Sequence, residues 1–129
     1  MSKQMTLERA TAFGEAWNSG DADLVASYFA EDGVYHGIFG NERLGQTFTG
    51  RAAIRDEVQA TFDRFPSGRF EDLKVLVHGN FGWFEWDYSV TDSKGNRQVT
   101  AGCDLLEFDG DMVKVKNAFQ KVRPVRRKT

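Results

Sequence analysis

Asp104 is the residue whose setting carries the most chemistry. It lies in a β-like run, Val99-Thr100-Ala101-Gly102-Cys103-Asp104-Leu105-Leu106, with Gly102 and Leu106 as neighbours on its face. A carboxylate among such groups loses hydration unless it is paired. Burial then favours the neutral acid, which can donate a proton or a hydrogen bond. The alternative is an Asp held by a Tyr, Asn or Trp partner for structural reasons, or one at a wet edge. In the last β-like run Val113, Val115, Asn117 and Phe119 oppose Lys114, Lys116, Ala118 and Gln120. The first set is the inward candidate, so Asn117 is a polar group in apolar company, suited to orienting a carbonyl or hydroxyl. His36 follows Tyr35. Strict alternation puts the two on opposite faces unless a bulge re-aims the imidazole, so His36 is either a pocket group or a structural or rim histidine. His78 stands at a strand end before Gly79-Asn80 and reads as exposed.

The oily face of the run Phe81 to Val90 is Phe84, Trp86, Tyr88 and Val90. Together with Phe13, Trp17, Tyr35, Val115 and Phe119, the rings at 84, 86 and 88 are the candidate walls of a site for an apolar or ring-containing molecule. A single acid of raised pKa facing such walls suits proton transfer in an aldol, dehydration, isomerisation or ring-opening step.

Those residues need elements to hold them. Thr6 can cap a helix whose inward face is Ala10, Phe13 and Trp17, stopped by Asn18-Ser19-Gly20. Asp21 caps a second, shorter helix with Leu24, Val25, Tyr28 and Phe29 on one side. After a turn at Glu31-Asp32-Gly33 comes a β-like run from Val34 to Phe39. The polar, Gly-rich stretch from Gly40 to Thr47 is then either a lid or an ordinary surface loop. A third helix from near Gly50 places Ile54, Val58, Phe62 and Phe65 on one face and ends at Pro66 and Gly68. Four β-like runs follow: Phe70 to His78, Phe81 to Thr91, Arg97 to Phe108 and Met112 to Val122. Their short Gly, Asn and Asp connections imply antiparallel hairpins. A helical half followed by a meander argues for α+β, with helices covering one face of a bent sheet. Both faces of the run around Asp104 carry apolar residues, so the other face calls for a cover, and a twofold partner subunit is the commonest one.

Composition narrows the classes. At 129 residues the chain fits one domain, with a core at about 6–122 and a basic tail from Arg123. Seventeen Lys and Arg against nineteen Asp and Glu give a net charge of −2, which offers no global field for nucleic acid or anionic lipid. No stretch approaches a membrane span or a secretion signal, so no membrane role is expected and the cytoplasm is the expected compartment. The single Cys103 excludes an intrachain disulfide and reads as a buried structural thiol. Two widely spaced histidines with no His/Cys/Asp cluster imply no metal site, and the scattered glycines match no phosphate-binding fingerprint; no cofactor is expected.

The order helix, helix, strand, helix, four strands, with Gly20-Asp21-Ala22-Asp23-Leu24 leading to Tyr28-Phe29-Ala30-Glu31-Asp32-Gly33-Val34-Tyr35-His36, resembles the nuclear transport factor 2-like superfamily. The likeness is to its SnoaL-like and ketosteroid-isomerase-like branches. Phe48-Thr49-Gly50-Arg51-Ala52-Ala53-Ile54 and Leu105-Leu106-Glu107-Phe108-Asp109-Gly110 also fit. The resemblance covers residues 6 to about 122. It implies a conical α+β fold whose curved sheet encloses a pocket, a homodimer through the sheet, and functions that range from isomerases, cyclases, dehydratases and hydrolases to binding without catalysis. In the isomerase branch a Tyr on the first helix and a protonated Asp on a late strand hold an oxyanion, while an Asp on the first strand moves the proton. Asp104 falls at the late-strand acid. Phe13 stands in place of the Tyr and Gly37 in place of the base, so the resemblance does not extend to steroid isomerisation by that machinery. His36 lies in the region where SnoaL-like relatives place a His or Asp.

Overall fold

The computed structural model describes residues 3–122. Helix α1 (Leu7–Ala16) starts at Thr6, whose hydroxyl accepts from Arg9 N, and α2 (Ala22–Ser27) starts at Asp21, whose carboxylate accepts from Leu24 N. Both caps are the residues expected. Strand β1 (Phe29–His36) and a short β2 (Thr47–Thr49) precede helix α3 (Arg51–Arg64). Strands β3 (Arg69–His78), β4 (Phe81–Thr91), β5 (Arg97–Asp109) and β6 (Met112–Gln120) complete the chain. The basic tail expected from residue 123 lies outside the described residues.

The six strands form one sheet in the order β2-β1-β6-β5-β4-β3, antiparallel except where β1 runs beside β6. One face is covered by the helices. The core there joins Phe13 and Ala10 of α1, Val25 of α2, Ile54 and Val58 of α3, and Phe84, Leu106, Phe108 and Val113 of the sheet. Phe13 sits in the middle, its ring 5.4 Å from Phe29 and 5.8 Å from Phe84. The fold class is as expected: α+β, with helices packed on a bent, mostly antiparallel sheet.

Three local expectations differ. The run at Glu31-Asp32-Gly33 is not a free turn. It is carried inside β1, where the pairing with β6 slips between Phe29 and Val34, so the strand starts five residues earlier than its apolar pattern suggests. At the end of the stretch expected as loop, Thr47–Thr49 pairs with Val34–His36 and forms an edge strand too short to leave a period-2 pattern. Leu24, expected inward, is 40% exposed.

Irregularities in the ladder bend the sheet and set which residues face the helices. Strand β3 slips against β4 between Glu71 and Lys74, where Asp72 has a positive φ of 54°. Strand β6 slips against β5 between Glu107 and Phe108: Glu107 faces Val115, whereas Phe108 faces Val113. Lys114 is therefore the extra residue of a bulge, and its ammonium reaches out to the Asp32 carboxylate at 2.6 Å. A one-residue bulge reverses side-chain parity beyond it. Val113 faces the core and so do Lys116, Ala118 and Gln120, whereas Val115, Asn117 and Phe119 turn to the outer face.

Candidate functional site

The register places Asp104 opposite Phe84 of β4 and Ala118 of β6. Its diagonal neighbours on the inner face are then Trp86 and Lys116, close enough for long side chains to meet. Trp86 Nε1 donates to Asp104 Oδ2 at 2.8 Å and Lys116 Nζ donates to Oδ1 at 3.0 Å. Asp104 is 1% exposed and Lys116 2%. Gly102, directly across from Trp86, leaves the space the indole fills: a Cβ there would lie 2.2 Å from its ring. Lys116 is closed in from the other side by aromatic faces, with Nζ 4.2 Å from the Trp17 ring centroid and 4.9 Å from that of Tyr35. An ammonium removed from water is stabilised by both the carboxylate and the rings.

Above this cluster is a cavity of about 140 Å³. Its floor is Lys116, Trp86 and Ala118, and its aromatic walls include Trp17, Tyr35, Phe48, Phe65, Phe70 and Tyr88. Helix α3 contributes Glu57, Thr61 and Arg64, spaced four and three apart on one face. The chain between β1 and β2 supplies Ile38, Phe39 and Gln46, pinned where Gly37 N donates to Gln46 O and Gln46 N to Phe39 O. Burial pushes the Tyr35 phenol above its ordinary range, and the charges of Asp104 and Glu57 and the nearby Tyr88 push it the same way, so it stays a neutral hydroxyl. Trp17 Nε1 is buried and has no acceptor among the described residues.

The candidate residues therefore separate. Trp17, Tyr35, Trp86 and Tyr88 line the cavity. Asp104 is inward and buried, but it lies behind Lys116 and Trp86 and borders only a void of about 10 Å³ beside Leu73 and Phe84. It is also paired, where the sequence showed it among apolar neighbours. The expectation of an unpaired acid gives way to an ion pair, and the Trp partner weighed as its structural alternative is present as well. Phe13 and Phe84 are core rings outside this cavity.

Asn117, Val115 and Phe119 do not face the cavity, because the bulge at Lys114 reverses their parity; Phe119 is 45% exposed. His36 lies beside Asn117 in the β1–β6 register, its Nδ1 2.8 Å from Thr47 Oγ1, and does not line the cavity. The slip in β1 falls before Val34 and leaves Tyr35 inward, so it does not re-aim His36. Cys103, expected buried, is half-buried, and burial with the charges of Asp104 and Glu85 holds its thiol above the usual range. Among the described residues no three His, Cys, Asp or Glu side chains gather as for a metal, and no helix is long and apolar enough to cross a membrane.

Two functional candidates are new. Strict alternation puts Lys116 outward, and no sequence signal announces the bulge. Glu57 was legible in principle, since positions 57, 61 and 64 form a polar stripe beside the apolar face of α3.

Residues 10–115 match the SnoaL-like domain family. Among solved structures the chain is similar to an NTF2-like protein of unknown function from Cytophaga hutchinsonii, with 19% identity, 89% of this chain and 98% of that chain covered, and a TM-score of 0.71. A putative polyketide cyclase from Xanthomonas campestris pv. campestris gives 22% identity, coverage of 88% and 90%, and a TM-score of 0.69. A hypothetical protein with a ketosteroid isomerase-like fold from Catenulispora acidiphila, in complex with trimethylamine, gives 22% identity, coverage of 89% and 86%, and a TM-score of 0.67. At these identities the likeness shows the fold. No curated protein sequence matches the chain.

The Asp104–Lys116 pair has a direct stability signature. Lys116→Met leaves a buried carboxylate with Trp86 alone and is expected to cost about 3–5 kcal/mol in urea unfolding, whereas the double variant Asp104→Leu/Lys116→Met recovers most of that loss. Equal losses in the single and double variants would contradict the pairing.

Proposed function

Since this chain belongs to the SnoaL-like domain family, with an aromatic cavity set over a buried ion pair, we propose that it binds a small apolar or ring-containing molecule. We further propose that it acts on that molecule by cofactor-free proton transfer. The observation that carries this reading is the cavity floor: Lys116 lines the hollow and is held at 3.0 Å by Asp104, which is sealed from solvent. Asp104, expected as the general acid/base, acts through Lys116: the ammonium gives a proton to the ligand's oxygen and, as the amine, takes one back from the ligand's carbon, while the Asp104 carboxylate holds it in place. Isomerisation, cyclisation, dehydration and ring opening all need such a step. The volume supports a ligand of one ring, since an apolar cavity of about 150 Å³ holds benzene.

A second reading, binding without catalysis, is favoured by a specific observation. Both carboxylate oxygens of Asp104 are already engaged, and Gly37, which follows β1 on the cavity wall, stands where the isomerase branch carries its base.

Native mass spectrometry of the purified protein, followed by incubation of any co-purified molecule with fresh protein, separates the two readings. Catalysis predicts consumption of that molecule, slowed at least about a hundredfold by Asp104→Asn while affinity stays within a few-fold. An unchanged rate in that variant removes Asp104 from the chemistry, and no chemical change at any pH favours storage.

The partner subunit is a separate proposal. Leu105 and Phe119 on the outer face, with Leu76 and Phe81 towards the β3 edge, are between 45% and 56% exposed. Covering such a patch with a second copy removes apolar surface from water. Sedimentation at micromolar concentration is expected to give the dimer mass; a monomer mass removes the proposal.

A further inference from the structure

We infer that the cavity takes an uncharged, ring-sized molecule whose hydrogen-bond acceptor, a carbonyl oxygen, is held by Lys116, with Asp104 a positioning residue behind it. Glu57 turns carboxylates away. This rests on the reading of the cavity as a small-molecule site and names the ligand class and the groups that select it.

Three observations converge. The first is which partner is reachable. Lys116 lines the cavity and Asp104 does not, and the two Asp104 oxygens are taken by Trp86 and Lys116. An incoming polar group therefore meets Lys116 before it meets Asp104.

The second is an excess of donors. An ammonium has three N–H groups. One points to Asp104 Oδ1, the single hydrogen bond of Nζ among the described residues, and the ring centroids of Trp17 and Tyr35 lie 4.2 and 4.9 Å away. The indole N–H of Trp17, a cavity residue only 5% exposed, also lacks an acceptor among the described residues. Buried donors without partners are costly, so an oxygen acceptor at this floor satisfies groups that the protein leaves open.

The third is charge. Lys116 is neutralised by Asp104. Glu57 on the wall has no ion pair or side-chain hydrogen bond among the described residues, so its charge faces the cavity uncompensated from within. Arg64, the other cation on the wall, is exposed, with its guanidinium 5.9 Å from the Phe65 ring centroid. Solvent screens it at the rim. A ligand carboxylate thus gains little from a lysine already paired and is repelled by Glu57, while a carbonyl gains a charge-assisted hydrogen bond without that repulsion.

The test titrates three probes of one ring each into the protein and follows the indole N–H signals of Trp17 and Trp86 by ¹⁵N NMR. The probes are acetophenone, its carbon isostere α-methylstyrene, and benzoate. Acetophenone is expected to bind about tenfold or more tightly than α-methylstyrene, the range of one hydrogen bond to a charged group. Benzoate is expected to bind more weakly than acetophenone. In Asp104→Leu/Lys116→Met the two neutral probes become equal, and in Glu57→Gln benzoate gains on acetophenone. The carbonyl stretch of bound acetophenone, which needs no variant, is expected to fall below its value in hexane. Equal affinity for the two neutral probes in the wild type, a preference that survives the double variant, or an unshifted stretch overturns the assignment to Lys116 while the pocket stands. Benzoate binding as tightly as acetophenone overturns the role of Glu57. No indole shift with any probe removes the pocket reading and this inference together.

Discussion

A lysine and an aspartate shut away from bulk water set the terms for the rest of this fold. Isolated, either charge would be untenable inside the domain; paired at 3.0 Å, with Trp86 on the second oxygen and two ring faces over the ammonium, they form a polar centre in an aromatic shell. Their positions follow from register. Asp104 and Lys116 are diagonal neighbours on adjacent strands because Asp104 pairs with Ala118 and Leu106 with Lys116. Moving either strand by one residue would turn one member of the pair out to solvent.

The bulge in β6 is the local device that makes this possible. By inserting Lys114 it allows Val113 to pack in the core and Lys116 to reach the cavity floor on the same strand, while Lys114 itself pairs with Asp32 outside. The slips in β1 and β3 act with it to curve the sheet around the helices. The fold thus delivers two things to one place: rings from four strands and from the C-terminal caps of two helices, and a charge pair that those rings keep dry. Family membership fits this arrangement without naming a reaction, because one fold hosts many functions.

How much of this was legible depends on what each residue's signal encodes. The capped helices, the meander and the apolar face at Phe84, Trp86 and Tyr88 follow local rules of caps, turns and alternation, and they stand where those rules put them. Asp104 was visible as an anomaly because its neighbours along the strand are apolar. Its partner was not, because Lys116 reads as outward under strict alternation and parity is reversed by one inserted residue whose sequence, Val113-Lys114-Val115-Lys116, contains no Gly or Pro to mark it. The same reversal took Val115, Asn117 and Phe119 off the inner face. Three-residue β2 was invisible for a different reason: an edge strand that short is fixed by its partner rather than by its own sequence.

The state of Lys116 tests the account at its centre. In a ¹H–¹³C and ¹H–¹⁵N NMR study of the lysine side chains, one Hε methylene should lie well upfield of the others, shifted by the Trp17 and Tyr35 ring currents. Its ammonium protons should exchange slowly enough to be seen, and both signals should vanish in Lys116→Met. Lysine methylenes that all fall at solvent-exposed positions, with no protected ammonium, would contradict it.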